Sequence, residues 1–138
     1  MTLMLQLILA IAMQAASPSS VHVISREMMS HQEDEKQTVA RNAAEFASLW
    51  RQHAGQAAAP KVDFGSRTVV AVFLGSRSSA GYAVEITGIR RVANTTIVQW
   101  QERKPSRDEV SAQIMTSPAI VATIPKAAGE IKFEKVEP

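Results

Sequence analysis

Thr68–Leu74 reads TVVAVFL, an unbroken apolar run of strand length with no polar face. Such a run predicts a strand buried on both sides rather than one lying half-wet on a surface. The stretch that follows, Tyr82–Val92, alternates in its first half: Tyr82, Val84 and Ile86 against Ala83, Glu85 and Thr87. A period of two is the mark of a strand with one covered face. Val69–Leu74 and Tyr82–Ile86 are therefore expected to form the core hairpin of the fold, joined by Gly75–Gly81. With 46% apolar and 20% charged residues in 138, the chain has the balance of one globular domain.

The remaining strands follow from the same patterns. Thr95–Glu102 alternates, with Thr96, Val98 and Trp100 opposing Ile97, Gln99 and Gln101. Ala93-Asn94 between two such strands predicts a tight turn, since Asn tolerates positive φ. Val110–Met115 reads as a weak strand. Ala119–Ile124 reads as a strong one, bracketed by prolines that suit strand ends or an edge. Ile131 and Phe133 share a face of a last strand, and Val21–Ile24 suggests a short first one. Thr38–His53 is the one amphipathic helix: Val39, Ala43, Phe46, Ala47, Leu49 and Trp50 recur at spacings of three and four. Gly55 follows where a helix end favours a left-handed residue. The fold class is α+β: one N-terminal helix packed on a small antiparallel β-sheet, or a sandwich, of about six strands.

Residues 1–16, MTLMLQLILAIAMQAA, carry no charged side chain and form an apolar run shorter than the roughly 20 residues of a membrane span. The length, and the small residues Ala15-Ala16 ahead of the polar Ser17–Ser20, suit a cleaved signal peptide, although no Lys or Arg precedes the run. An uncleaved anchor and a buried helix are the alternatives. The expected organisation is a signal at 1–16, an approach segment at 17–37 and the domain at 38–138. The product is then exported, periplasmic or secreted, with no membrane span after cleavage. The chain has no cysteine, which excludes disulfides, thiolate zinc sites, a cysteine nucleophile and an acylated lipoprotein anchor.

Chemistry-bearing motifs are sparse. A net charge of +2 with no basic stripe gives no case for nucleic acid. His22, His31 and His53 lack the i, i+4 partner of a metalloprotease helix, and no metal or cofactor is expected. Glu33-Asp34-Glu35 reads as a solvated turn. Ser78 or Ser79 with a distant His and Asp has no support as a hydrolase triad. Gly75–Gly81, GSRSSAG, is the exception: backbone N–H groups, serine hydroxyls and Arg77 can meet a carboxylate or a peptide. It lacks the Gly-Lys-Ser/Thr ending of a P-loop. The candidate binding residues are Gly75, Arg77, Ser78, Ser79, Gly81 and Tyr82. Trp100, on an alternating strand, is a further candidate partner anchor.

From Glu45 to Pro125 the order of features resembles the C-terminal domain of the bacterial PrcB-like protease-complex proteins. The helix carries Phe46, Leu49-Trp50 and His53. Val62-Asp63-Phe64, the strand Val69–Phe73 and Gly75 follow. A Gly-Tyr turn, here Ser79-Ala80-Gly81-Tyr82, precedes the strand Val84–Ile86. A polar loop with Pro105 then leads to Ser117-Pro118 and Ile120–Pro125. The departure is Ser79-Ala80, where the family pattern has Thr-Gly. The turn is also similar to the loop of chagasin-type cysteine-protease inhibitors, which carry an aromatic residue soon after it where this chain has Ala83-Val84. The resemblance implies an exported, non-catalytic protein-interaction domain, an accessory or stabilising partner of a secreted protease. A peptidase inhibitor presenting Gly75–Tyr82 to a cleft and a structural envelope domain are the other expectations.

Overall fold

The computed structural model describes residues 20–138. The segment read as a signal, 1–16, lies outside the described residues. Among those described, seven strands and one helix follow in the order β1 (His22–Glu27), β2 (Lys36–Ala40), α1 (Ala43–Ala54), β3 (Arg67–Phe73), β4 (Ala83–Val92), β5 (Thr95–Arg103), β6 (Ala119–Pro125) and β7 (Ile131–Lys135). They make a four-stranded sheet, β1-β6-β3-β2, and a three-stranded sheet, β4-β5-β7. The α+β, β-rich class holds, but with seven strands in two sheets rather than about six. The helix follows two strands, and β7 pairs parallel to β5.

The all-apolar β3 is the middle of this arrangement. Val70, Val72 and Leu74 point into a core shared with Val84, Ile86, Val98 and Trp100 of the second sheet. Val69, Ala71 and Phe73 point the other way, into a core shared with Phe46, Leu49 and Trp50 of α1. Helix, four-stranded sheet and three-stranded sheet therefore stack as three layers, and a strand covered on both faces has no use for polar residues. Large and small side chains alternate across β3 and β6: Phe73 lies opposite Ala119, and Val70 opposite Ala122. On the helix side, small Ala71 and Ala119 leave room for the aromatic rings of α1.

The expected hairpin Val69–Ile86 does not form. β3 pairs with β2 on one edge and β6 on the other, so it has no edge left for β4. Gly75–Gly81 instead carries the chain from one sheet to the other. Three more expectations change. Thr38–Ala40 belongs to β2, where the backbone gains a ladder with Val69–Ala71. The helix begins at Ala43 because the Asn42 side chain caps it, accepting from the Glu45 N–H at 2.9 Å, while Glu45 reaches back to the Arg41 N–H at 2.8 Å. Residues 110–115 run without forming a strand, because only Thr116 and Ser117 find bridge partners there. The C-terminal Gly55 takes φ 62° as expected. At the β4–β5 turn the residue with positive φ is Ala93, at 53°. Within 17–37, read as an approach segment, the described residues hold β1 and the start of β2.

Two bulges tune the faces. The register shift at Thr87 returns Ile89 to the buried side after Val84 and Ile86. The shift at Ile24 lets the consecutive residues Ile24 and Ser25 both serve the helix side: Ile24 packs against its core, and Ser25 bonds His53 of α1.

Candidate interaction site

The loop between β3 and β4 is built largely from internal contacts. Gly75 has φ 80°, and a Cβ there would stand 2.9 Å from the Glu35 nitrogen and 3.2 Å from the Glu33 oxygen. Glycine alone allows both the conformation and the approach. Arg77 exchanges backbone hydrogen bonds with Thr116 at 2.8 and 2.9 Å. Its guanidinium grips Glu102, Nε to Oε2 at 2.8 Å and Nη2 to Oε1 at 3.3 Å. Glu102 is 5% exposed and has Lys135 Nζ at 3.5 Å as a second cation. The Arg77 hydrogen bond, helped by both positive charges and opposed by burial, holds the Glu102 carboxyl below its ordinary value.

Ser79 is buried. Its carbonyl accepts from the Thr116 hydroxyl at 2.9 Å, and its hydroxyl accepts from the Gly81 N–H at 3.3 Å. Gly81 is buried too: a Cβ there would meet Pro105 Cβ at 2.6 Å. Tyr82 is half-buried. Trp100 sits in the inter-sheet core, with Lys135 over its ring at 5.4 Å. Of the residues singled out from the sequence, the loop thus brings Gly75, Arg77, Ser79 and Gly81 together as scaffold. It leaves Ser78, beside Ser76, exposed.

Beside this loop lies a groove of about 720 Å³, lined by Met29, Ser30, His31, Glu33, Ser76, Met115, Thr116 and Ser117. One wall is the link from β1 to β2; the other is the segment before β6. Its apolar rim is open to solvent: Met29 is 54% and Met115 64% exposed, with Met28 and Ile114 also exposed nearby. Contiguous exposed apolar side chains of this kind mark interaction surfaces more often than single ones do. The walls are tied together by paired backbone bonds, Ser30 N–H to Ser117 C=O at 3.0 Å and Ser117 N–H to Met28 C=O at 2.9 Å.

Beneath the groove sits His53, 1% exposed, at the i+7 position of the buried stripe Phe46, Leu49, Trp50. Its Nε2 is 2.8 Å from the Ser25 hydroxyl and its Nδ1 2.9 Å from the Ser30 hydroxyl. A neutral ring satisfies both, donating at one nitrogen and accepting at the other. Burial holds the imidazole below its ordinary 6.5; the Glu27 charge opposes this and that of His31 adds to it. This network ties β1 and the groove floor to the helix. The sequence reading passed over it, although the stripe spacing pointed at His53. Among the described residues no group of three His, Asp or Glu side chains could hold a metal ion, and no helix is long and apolar enough to cross a membrane.

Fold and site together define a helix-backed, two-sheet β domain with a methionine-rimmed surface groove. Within it, residues 68–125 match the family model described as PrcB C-terminal, which supports a PrcB C-terminal-like domain over that segment. The match runs from β3 through β6, so it includes the Gly75–Gly81 crossover and one wall of the groove. Comparison with curated proteins and with solved structures gives no match.

Proposed function

We propose that the chain is an exported, non-catalytic protein-interaction domain that serves as an accessory or stabilising partner of a protease. The observation that carries the reading is the apolar rim of Met29 and Met115 beside a segment of the PrcB C-terminal-like match. Methionine side chains are flexible and polarisable, which suits a surface made to receive another chain. The polar groups nearest the groove support a binding rather than a catalytic role. Arg77 is engaged by Glu102, and the Ser30 hydroxyl is buried against His53. The inhibitor reading draws less support, because Gly75–Tyr82 presents chiefly Ser76 and Ser78 to solvent.

The test is to tag the full chain in its native host, crosslink in the envelope fraction and identify what co-purifies. A protease is expected, and its activity or lifetime should fall when the gene is deleted. Recovery of the chain alone, with protease activity unchanged on deletion, overturns the reading. Fractionation and N-terminal sequencing test export: an intact Met1 in the cytosol refutes it.

A further inference from the structure

We propose that the groove beside the Gly75–Gly81 loop takes an extended polypeptide segment in which Lys or Arg stands among apolar side chains. This rests on the protein-binding reading above and names the kind of chain that is bound. Three independent observations converge on it.

The first is the open apolar rim already described. The second is backbone. Along Gln113-Ile114-Met115 no N–H or C=O has a hydrogen-bond partner among the described residues, whereas on either side Ala112 accepts from Ala80 and Thr116 pairs with Arg77. Unpaired main chain beside apolar side chains can take up an added strand: the ladder supplies affinity and alternate side chains read the pocket.

The third is charge. Glu33 lines the opposite wall and Asp34 and Glu35 follow it in the chain; all three are exposed, and none of their carboxylates forms an ion pair among the described residues. Of the cations close by, Arg77 is paired with Glu102, and Lys36, which donates to the neutral Gln52 at 3.1 Å, offsets one of the three negative charges and leaves the others. The mouth is therefore acidic in a chain that is net positive, and a cationic segment complements it.

The experiment pans a displayed library of random peptides against the full-length chain. The enriched pool should gain Lys, Arg and apolar residues and lose Asp and Glu relative to the input. The best peptide, followed by fluorescence anisotropy, should bind about tenfold or more weakly to Met115→Ser and to the triple variant Glu33→Gln/Asp34→Asn/Glu35→Gln, and more weakly as salt is raised. These side chains are exposed, so melting curves should stay at the parent value and confirm that the fold is intact. No enrichment, an acidic pool, or binding indifferent to both variants overturns the proposal. A protease that co-purifies but crosslinks elsewhere would overturn this inference and leave the accessory reading standing. A basic peptide held in the groove with no associated protease would do the reverse.

Discussion

Arg77 is the residue on which a binding loop and a structural loop make opposite predictions. Replacing it by Ala leaves Glu102, 5% exposed, with Lys135 at 3.5 Å as its remaining cation. Removing one partner of a buried ion pair costs about 3–5 kcal/mol. Lys135 stays, and the Arg77 side chain is 25% exposed, so the cost is discounted below that range, to about 2–3 kcal/mol. For a domain of this size that lowers the melting midpoint by about 10 °C. Urea titration followed by tryptophan fluorescence measures it, since Trp50 and Trp100 are both buried. The double variant Arg77→Met/Glu102→Leu should recover much of the loss, a non-additivity expected of contacting residues. The pH dependence has a definite sign. Glu102 titrates below its ordinary 4.5 in the fold, so the stability it contributes is full above that value. It is lost as pH falls through the lower folded value. The gap between parent and Arg77→Ala should close in acid. A change under about 0.5 kcal/mol together with weakened partner binding would refute the structural account, because surface substitutions normally fall within that margin.

Three further outcomes test the frame. His53 titrates below its ordinary 6.5, so its contribution is full above 6.5 and fades as pH falls through the folded value; His53→Gln should flatten that slope in urea midpoints measured against pH. Gly129→Ala puts a Cβ 1.9 Å from the Asn94 carbonyl oxygen and should cost about 2 kcal/mol or more by thermal melting. Ala93→Gly relieves a left-handed alanine and should raise stability by about 0.5–1 kcal/mol, seen as a melting midpoint a few degrees higher.

The strands were legible where side-chain parity is strong. TVVAVFL announced its double burial, and the alternation of β4 and β5 fixed which face is covered. Partnership was not legible. β3 looks like half of a hairpin because β4 comes next in the chain, yet its neighbours are β2, before the helix, and β6, more than forty residues on. Nothing in local pattern states which edge a strand will find. The helix start was misread because Val39 falls on the helical stripe by coincidence, while Asn42 holds the actual signal. The Arg77–Glu102 pair could have been found by extending parity: Thr96, Val98 and Trp100 face inward, so Glu102 must as well, and a buried carboxylate needs a cation. The groove could not, because its walls are irregular segments brought together by the β1–β6 pairing.

That pairing has a consequence in time. β1 begins at His22, and its ladder partner β6 ends at Pro125. A chain emerging from its N-terminus, from a ribosome or through a translocation channel, holds β1 without a neighbour until nearly all of it has appeared. The β2–β3 and β4–β5 pairings can form earlier, but β1 cannot join the four-stranded sheet before β6. Loop closures of this length delay folding, and the exposed first strand is a natural point of capture by chaperones or proteases until residue 125 arrives.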